Sequence, residues 1–127
     1  MKAVNVGGGE IHFEDRGDGP PLLLVHGFPL DHSMWTVPFS SPHTSPPSHQ
    51  SHPPIPCRLL APDLRGFGRS PPRGDVVSME AFADDLAGLL DALEIAEPAV
   101  FCGLSMGGYI ALQFWRKHRS RLRGLVL

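Results

Sequence analysis

Three short apolar runs constrain this chain more than any other feature. Leu22-Leu23-Leu24-Val25, Arg58-Leu59-Leu60-Ala61 and Ala99-Val100-Phe101-Cys102 span four residues each and are bounded by proline, glycine or polar turns. Runs so short and so apolar fit strands buried on both faces, as in a parallel sheet. Between the second and third, Met79, Phe82, Leu86, Leu89, Leu90 and Leu93 recur at spacings of three, four and seven. That spacing predicts a helix with one apolar face. Ser78 caps it, Glu80 and Asp84 sit near its positive end, and Pro98 marks the exit. A second helix is expected from just after Ser105 to about His118, and Gly124–Leu127 begins another strand. Near the start, Val4 and Val6, then Ile11 and Phe13, alternate around Gly7-Gly8-Gly9, which predicts an N-terminal hairpin. A polar turn is expected over Asp15–Gly19. The alternation of strand and helix calls for an α/β fold: a three-layer sandwich with a mostly parallel sheet, in one domain over residues 1–127.

One stretch breaks the pattern. Residues 38–56 read PFSSPHTSPPSHQSHPPIP, and fifteen of the nineteen are Pro, Ser or His. Repeated prolines remove backbone donors, so no helix is expected there, only an extended or disordered insert. His43, His49 and His52 within it have no cysteine or carboxylate companions, so no metal site is expected. A formal net charge of -2 argues against a nucleic-acid surface. No apolar run is long enough to cross a bilayer, and none follows Lys2 as a secretory leader would require. Cys57 and Cys102 lack metal or redox spacing. These features read as a cytoplasmic protein with no membrane partner.

The chemistry concentrates at Gly103-Leu104-Ser105-Met106-Gly107, where the third buried run meets the second helix. A sharp turn there lifts the Ser105 hydroxyl clear of the sheet, and Gly103 and Gly107 remove side chains that would collide at the bend. The following helix supplies free amides, and the Met106 N–H is placed to hold an oxyanion.

With Gly108 added, this stretch resembles the nucleophile elbow of the α/β-hydrolase fold. His26-Gly27-Phe28-Pro29 is similar to that family's oxyanion loop. Asp63-Leu64-Arg65-Gly66-Phe67-Gly68-Arg69-Ser70 is similar to its loop after the next strand. All three occur in the family's order, each after a predicted strand. HGFPLDHSMW together with GLSMGGYIAL is similar to serine esterases, enol-lactonases and cofactor-free haloperoxidase-like members. Ser105 stands where haloalkane dehalogenases and epoxide hydrolases carry an aspartate. The resemblance implies a small-molecule ester or lactone as substrate, Ser105 as nucleophile, the N–H groups of Phe28 and Met106 as oxyanion donors, and no cofactor. It also implies that residues 38–56 are foreign to the fold, as a pair of compensating frame shifts in the coding DNA would make them.

The resemblance further implies a triad in the order Ser, acid, His, and the chain reaches Leu127 before the positions of the last two. His118 lies thirteen residues along the helix from Ser105, roughly 20 Å at 1.5 Å per residue, beyond proton-transfer reach. His26 is expected to brace the oxyanion turn, Asp63 and Arg65 to brace their loop, and Cys102 to be a small buried residue. Met34 and Trp35 fit a pocket wall or the core equally. The reading is therefore the N-terminal part of a serine hydrolase, incomplete as a catalyst, with a non-catalytic truncated product or binding scaffold as the alternative. Self-association is expected through an exposed sheet edge at Leu125-Val126-Leu127.

Overall fold

The computed structural model describes residues 1–35, 56–75 and 77–127. The expected insert at 38–56 therefore lies outside the described residues except for Pro56, and His43, His49 and His52 lie outside them too.

The elements in chain order are β1 (Lys2–Val6), β2 (Gly9–Gly17), β3 (Pro21–Val25), a 3-10 turn (His32–Trp35), β4 (Arg58–Pro62), α1 (Met79–Ala92), β5 (Ala99–Gly103), α2 (Met106–His118), a second 3-10 turn (Arg119–Arg121) and β6 (Leu122–Val126). They form one six-stranded sheet in the order β1-β2-β4-β3-β5-β6. β4, β3, β5 and β6 run parallel, while β1 pairs antiparallel with β2 and β2 with β4. The chain adopts the α/β architecture its sequence predicts, with a mostly parallel sheet and an N-terminal hairpin. Gly7 and Gly8 make the hairpin turn with φ of +56° and +82°, a conformation side chains resist.

α1 and α2 pack against each other on one face of the sheet. α1 starts where Ser78 accepts the Ala81 N–H at 3.1 Å, and it buries Phe82, Leu86, Leu89 and Leu90 along the predicted stripe. These meet Leu23, Val25, Leu60, Phe101, Ile110 and Phe114 in a single core. Full burial of each such side chain stabilises the fold by about 1.5–3 kcal/mol relative to exposure. The register sends the alternate residues to the opposite face: Leu59, Leu22 and Val100 share one cross-strand row, and Leu24, Cys102 and Val126 the next.

Three local expectations change. The polar turn expected over Asp15–Gly19 is shorter, because β2 continues to Gly17. Its pairs Asp15↔Leu60, Arg16↔Leu59 and Gly17↔Arg58 extend the ladder. Arg58 also grips the Asp15 carboxylate through two bonds of 2.8 Å, and with burial opposing and Lys2 assisting it holds that carboxyl at about 2. β6 begins at Leu122 rather than Gly124, drawn in by pairing with Ala99. Cys102 is half-buried rather than buried, because it points to the face away from the helices; partial burial still pushes its thiol pKa up.

The basic run from Arg116 to Arg123 is met by carboxylates. Lys117 and His118 both bind Asp84, at 2.6 and 2.8 Å, Arg121 binds Asp91, and Arg123 lies 3.5 Å from Glu97. Arg116 and Lys117 also sit in the last turn of α2, at its negative end, where cations are favoured. Among the described residues no helix is long and apolar enough to cross a membrane.

Candidate active site

The parallel strands β3, β4 and β5 all end on the same edge of the sheet, and the three sequence motifs leave from those ends. Each can be followed from its backbone upward.

At the end of β5 the chain reverses into α2 through Ser105, whose φ is +53° and ψ −112°. A serine held there stores strain of about 1–3 kcal/mol. The surroundings enforce it. A Cβ on Gly103 would run into the backbone of Gly107 and Gly108, and one on Gly107 would run into the carbonyl of Val25. Both glycines are thus required by close backbone approach, at the crossing of strand and helix. The Leu104 N–H also bonds the Val25 oxygen at 3.2 Å, tying the turn to β3. Ser105 is exposed, and its hydroxyl makes no capping bond to the helix it precedes.

At the end of β3, His26 is fully buried. Its Nε2 accepts the Leu64 N–H at 3.0 Å, so Nδ1 carries the proton and donates to the Gly27 oxygen at 3.0 Å. Desolvation drives the His26 pKa below its ordinary value, with the bond to Gly27 opposing. A neutral ring with both nitrogens engaged braces a loop and does not accept a substrate proton. Gly27 lies against the elbow: a Cβ built there would stand 3.4 Å from the Ser105 Cβ and 3.1 Å from the Leu104 oxygen. The structure therefore brings Ser105 and the His26–Phe28 loop into contact. The next peptide, Phe28–Pro29, is cis. Phe28 is 70% exposed, with its ring edge-on to Phe67, which in turn packs on His26. Among the described residues neither the Phe28 N–H nor the Met106 N–H has an acceptor.

At the end of β4, Asp63 is fully buried and accepts three bonds: from the His32 N–H at 2.8 Å, the His32 Nδ1 at 2.7 Å and the Arg69 N–H at 2.8 Å. A Cβ on Gly68 would strike this carboxylate. Arg65 forks onto the buried Asp85 of α1 with two bonds of 2.5 Å, and Arg73 shares that carboxylate. Asp63 and Arg65 hold loops, as their sequence setting suggests. His32 escaped the sequence reading, although its place six residues after His26, beside Asp31, offered a signal. Asp31, His32 and Asp63 also bring three ligand-type atoms within 4.8 Å of one another. His32 and Asp63 already bond to each other, and Asp31 accepts the Ser33 N–H; the Ser33 side chain and that N–H together lower the Asp31 pKa.

The described histidines are all engaged away from the Ser105 hydroxyl. His12 pairs with Glu10, His26 with Gly27 and Leu64, His32 with Asp63, and His118 with Asp84 at the far end of α2. Met34 and Trp35 are half-buried in the 3-10 turn, which leaves both of their readings open.

A family model described as the alpha/beta hydrolase fold matches residues 20–127. A 2-hydroxy-6-oxo-2,4-heptadienoate hydrolase of Pseudomonas putida is 35% identical over 127 residues, covering 99% of this chain and 43% of its own length. A thermophilic esterase from Thermogutta terrifontis superposes with a TM-score of 0.83 at 44% identity, over 98% of this chain and 44% of the esterase. An enol-lactonase from Burkholderia xenovorans gives 0.80 at 29% identity, over 98% and 45%. The chain spans about two fifths of the length of the relatives it matches, 43% in the first of these.

Proposed function

This chain belongs to the alpha/beta hydrolase fold family, and on that premise we propose that it carries the nucleophile half of a serine hydrolase acting on a carboxylic ester or lactone. One observation carries the reading: an exposed serine at φ +53° between a buried strand and a helix, in contact with a loop whose Phe28 N–H has no acceptor among the described residues. In this reading Ser105 attacks the carbonyl carbon, and the Phe28 and Met106 N–H groups receive the oxygen as it becomes negative. Gly103 and Gly107 let strand, turn and helix approach closely enough for this, and His26 and Gly27 shape the loop. No metal or organic cofactor enters the step. The names of similar proteins, an esterase and an enol-lactonase among them, support an ester or lactone as the substrate class.

The base and its orienting acid are assigned in this reading to segments outside residues 1–127. Residues 1–127 alone are then catalytically incomplete, since removing triad members costs on the order of a million-fold in turnover. A chimera tests this: residues 1–127 joined to the remaining C-terminal portion of the T. terrifontis esterase. It should hydrolyse p-nitrophenyl acetate and take up a fluorophosphonate probe, and Ser105→Ala should abolish both. The unfused chain should do neither. A folded chimera without Ser105-dependent turnover would overturn the proposal. The pairing of every described histidine elsewhere also favours a second reading, a non-catalytic scaffold, and that result would select it.

A further inference from the structure

The peptide joining Gly27 to Phe28 bears the N–H assigned above to the oxyanion. A peptide unit is planar, so its N–H points opposite to its C=O. Whatever fixes the Gly27 oxygen therefore aims the Phe28 N–H. Two donors hold that oxygen: His26 Nδ1 at 3.0 Å and the Leu30 N–H at 2.9 Å. The first leads through the His26 ring to the Leu64 N–H. The second belongs to the turn over residues 27–30, and two residues later His32 ends that excursion on Asp63 with both its main-chain N–H and its ring Nδ1.

We propose that His32 is a positioning residue for the Phe28 N–H, acting by tying to Asp63 the turn whose Leu30 N–H is the second of the two donors to the Gly27 carbonyl. The inference takes its functional meaning from the serine-hydrolase reading. Any residue at position 32 could supply the main-chain bond to Asp63, but only a side-chain donor doubles it. Asp63 is fully buried and so cannot turn to water for a replacement partner. Losing the ring bond leaves a buried carboxylate one donor short and frees the turn to reorient about a single bond. The Leu30 N–H would then open from the Gly27 oxygen more often, and each opening leaves His26 alone on it, where one hydrogen bond permits rotation that two forbid. Arg69 pins the other oxygen of Asp63 at 2.8 Å, so the anchor does not swing with the turn.

Amide hydrogen exchange at Leu30, read by mass spectrometry with fragmentation, reports directly on the second anchor and needs no substrate. It can therefore fail while the Ser105 reading stands, or succeed while that reading falls. The polypeptide 1–127 would be compared with His32→Phe, which keeps an aromatic ring but no donor, and His32→Asn, which keeps a side-chain N–H. His32→Phe should speed Leu30 exchange by about ten-fold or more, the equilibrium equivalent of one bond to a charged group, while amides of α1 exchange as in the parent. His32→Asn should restore most of the protection. Unchanged Leu30 exchange in His32→Phe would overturn the proposal. So would equal exchange in the Asn and Phe variants, which would make ring size rather than the bond decisive. Loss of protection throughout α1 would make His32 a general stability element and would overturn it too.

Discussion

Gly107 and Gly108 are neighbours in the first turn of α2, yet the structure separates them sharply. Replacing either with alanine improves helix propensity by up to about 1 kcal/mol. At Gly108 the added methyl would stand 3.8 Å from the nearest atom, the Gly103 oxygen, in ordinary contact. At Gly107 it would overlap the Val25 carbonyl and approach the His26 oxygen at 3.1 Å. Both obstacles are backbone, and Val25 is itself tied to Leu104 by a bond of 3.2 Å. The helix must then lift from β3 or the strand must bend, and overpacking of this kind costs roughly 1–3 kcal/mol, more where only backbone can yield. Gly108→Ala is therefore expected to leave stability unchanged or raise it. Gly107→Ala should lose about 2 kcal/mol net, which at about 2.1 cal/mol/K of unfolding entropy per residue lowers the melting temperature by roughly 7–8 °C. Urea unfolding followed by tryptophan fluorescence at low protein concentration reads the difference. The same substitution pushes the elbow away from Gly27, so the chimera carrying Gly107→Ala should also lose probe labelling. Equal stability of the two variants would refute the argument from close approach.

Two other outcomes follow from the same structure. His26 is buried neutral with its pKa below 6.5, so the unfolded chain binds the proton more readily; its contribution is complete above about pH 6.5 and is lost as pH falls toward the folded value. The urea midpoint should therefore fall between pH 7.5 and 5.5, with a slope from this group of up to about 1.4 kcal/mol per pH unit, and a His26→Gln variant with an unchanged slope would contradict it. The polypeptide 1–127 should self-associate through β6, whose Val126 is 53% exposed and is followed by Leu127 at 68%; Val126→Lys should shift size-exclusion profiles toward monomer, and a sharp parent monomer peak at all concentrations would contradict the edge argument.

The fold was readable where burial imposes a pattern. The runs at Leu22, Leu59 and Ala99 became central strands because each is flanked by a strand on both sides, and the spacing from Met79 to Leu93 left one helical face available. Ends were harder. β2 runs on through Asp15 to Gly17 because a partner strand and Arg58 satisfy it, and no local signal in those polar residues reveals either. At the site, Ser105 and its glycines were visible as a motif, and so was the crowding at the bend that calls for glycine, but the partners were not: each glycine answers to a backbone far away in sequence or one turn on. His32 stayed hidden because its role depends on Asp63, thirty-one residues away by chain and within hydrogen-bond distance in space.

That last separation has a consequence for how this chain tolerates change. The covalent path from His32 to Asp63 passes through residues 36–55, whereas the bonded path between them is a single step. The two anchors of the Gly27 carbonyl both terminate at the exit of β4, on Asp63 and Leu64. β4 is indexed to β3 by its pairing Pro21↔Arg58 through Leu23↔Leu60. The His26–Phe28 loop thus takes its position from strand registration, not from the peptide that links the strands. Length and composition of that link are free to drift, provided β4 docks in the same register. A slip of one residue there would carry Asp63 and Leu64 about 3.3 Å along the strand axis and break both anchors together.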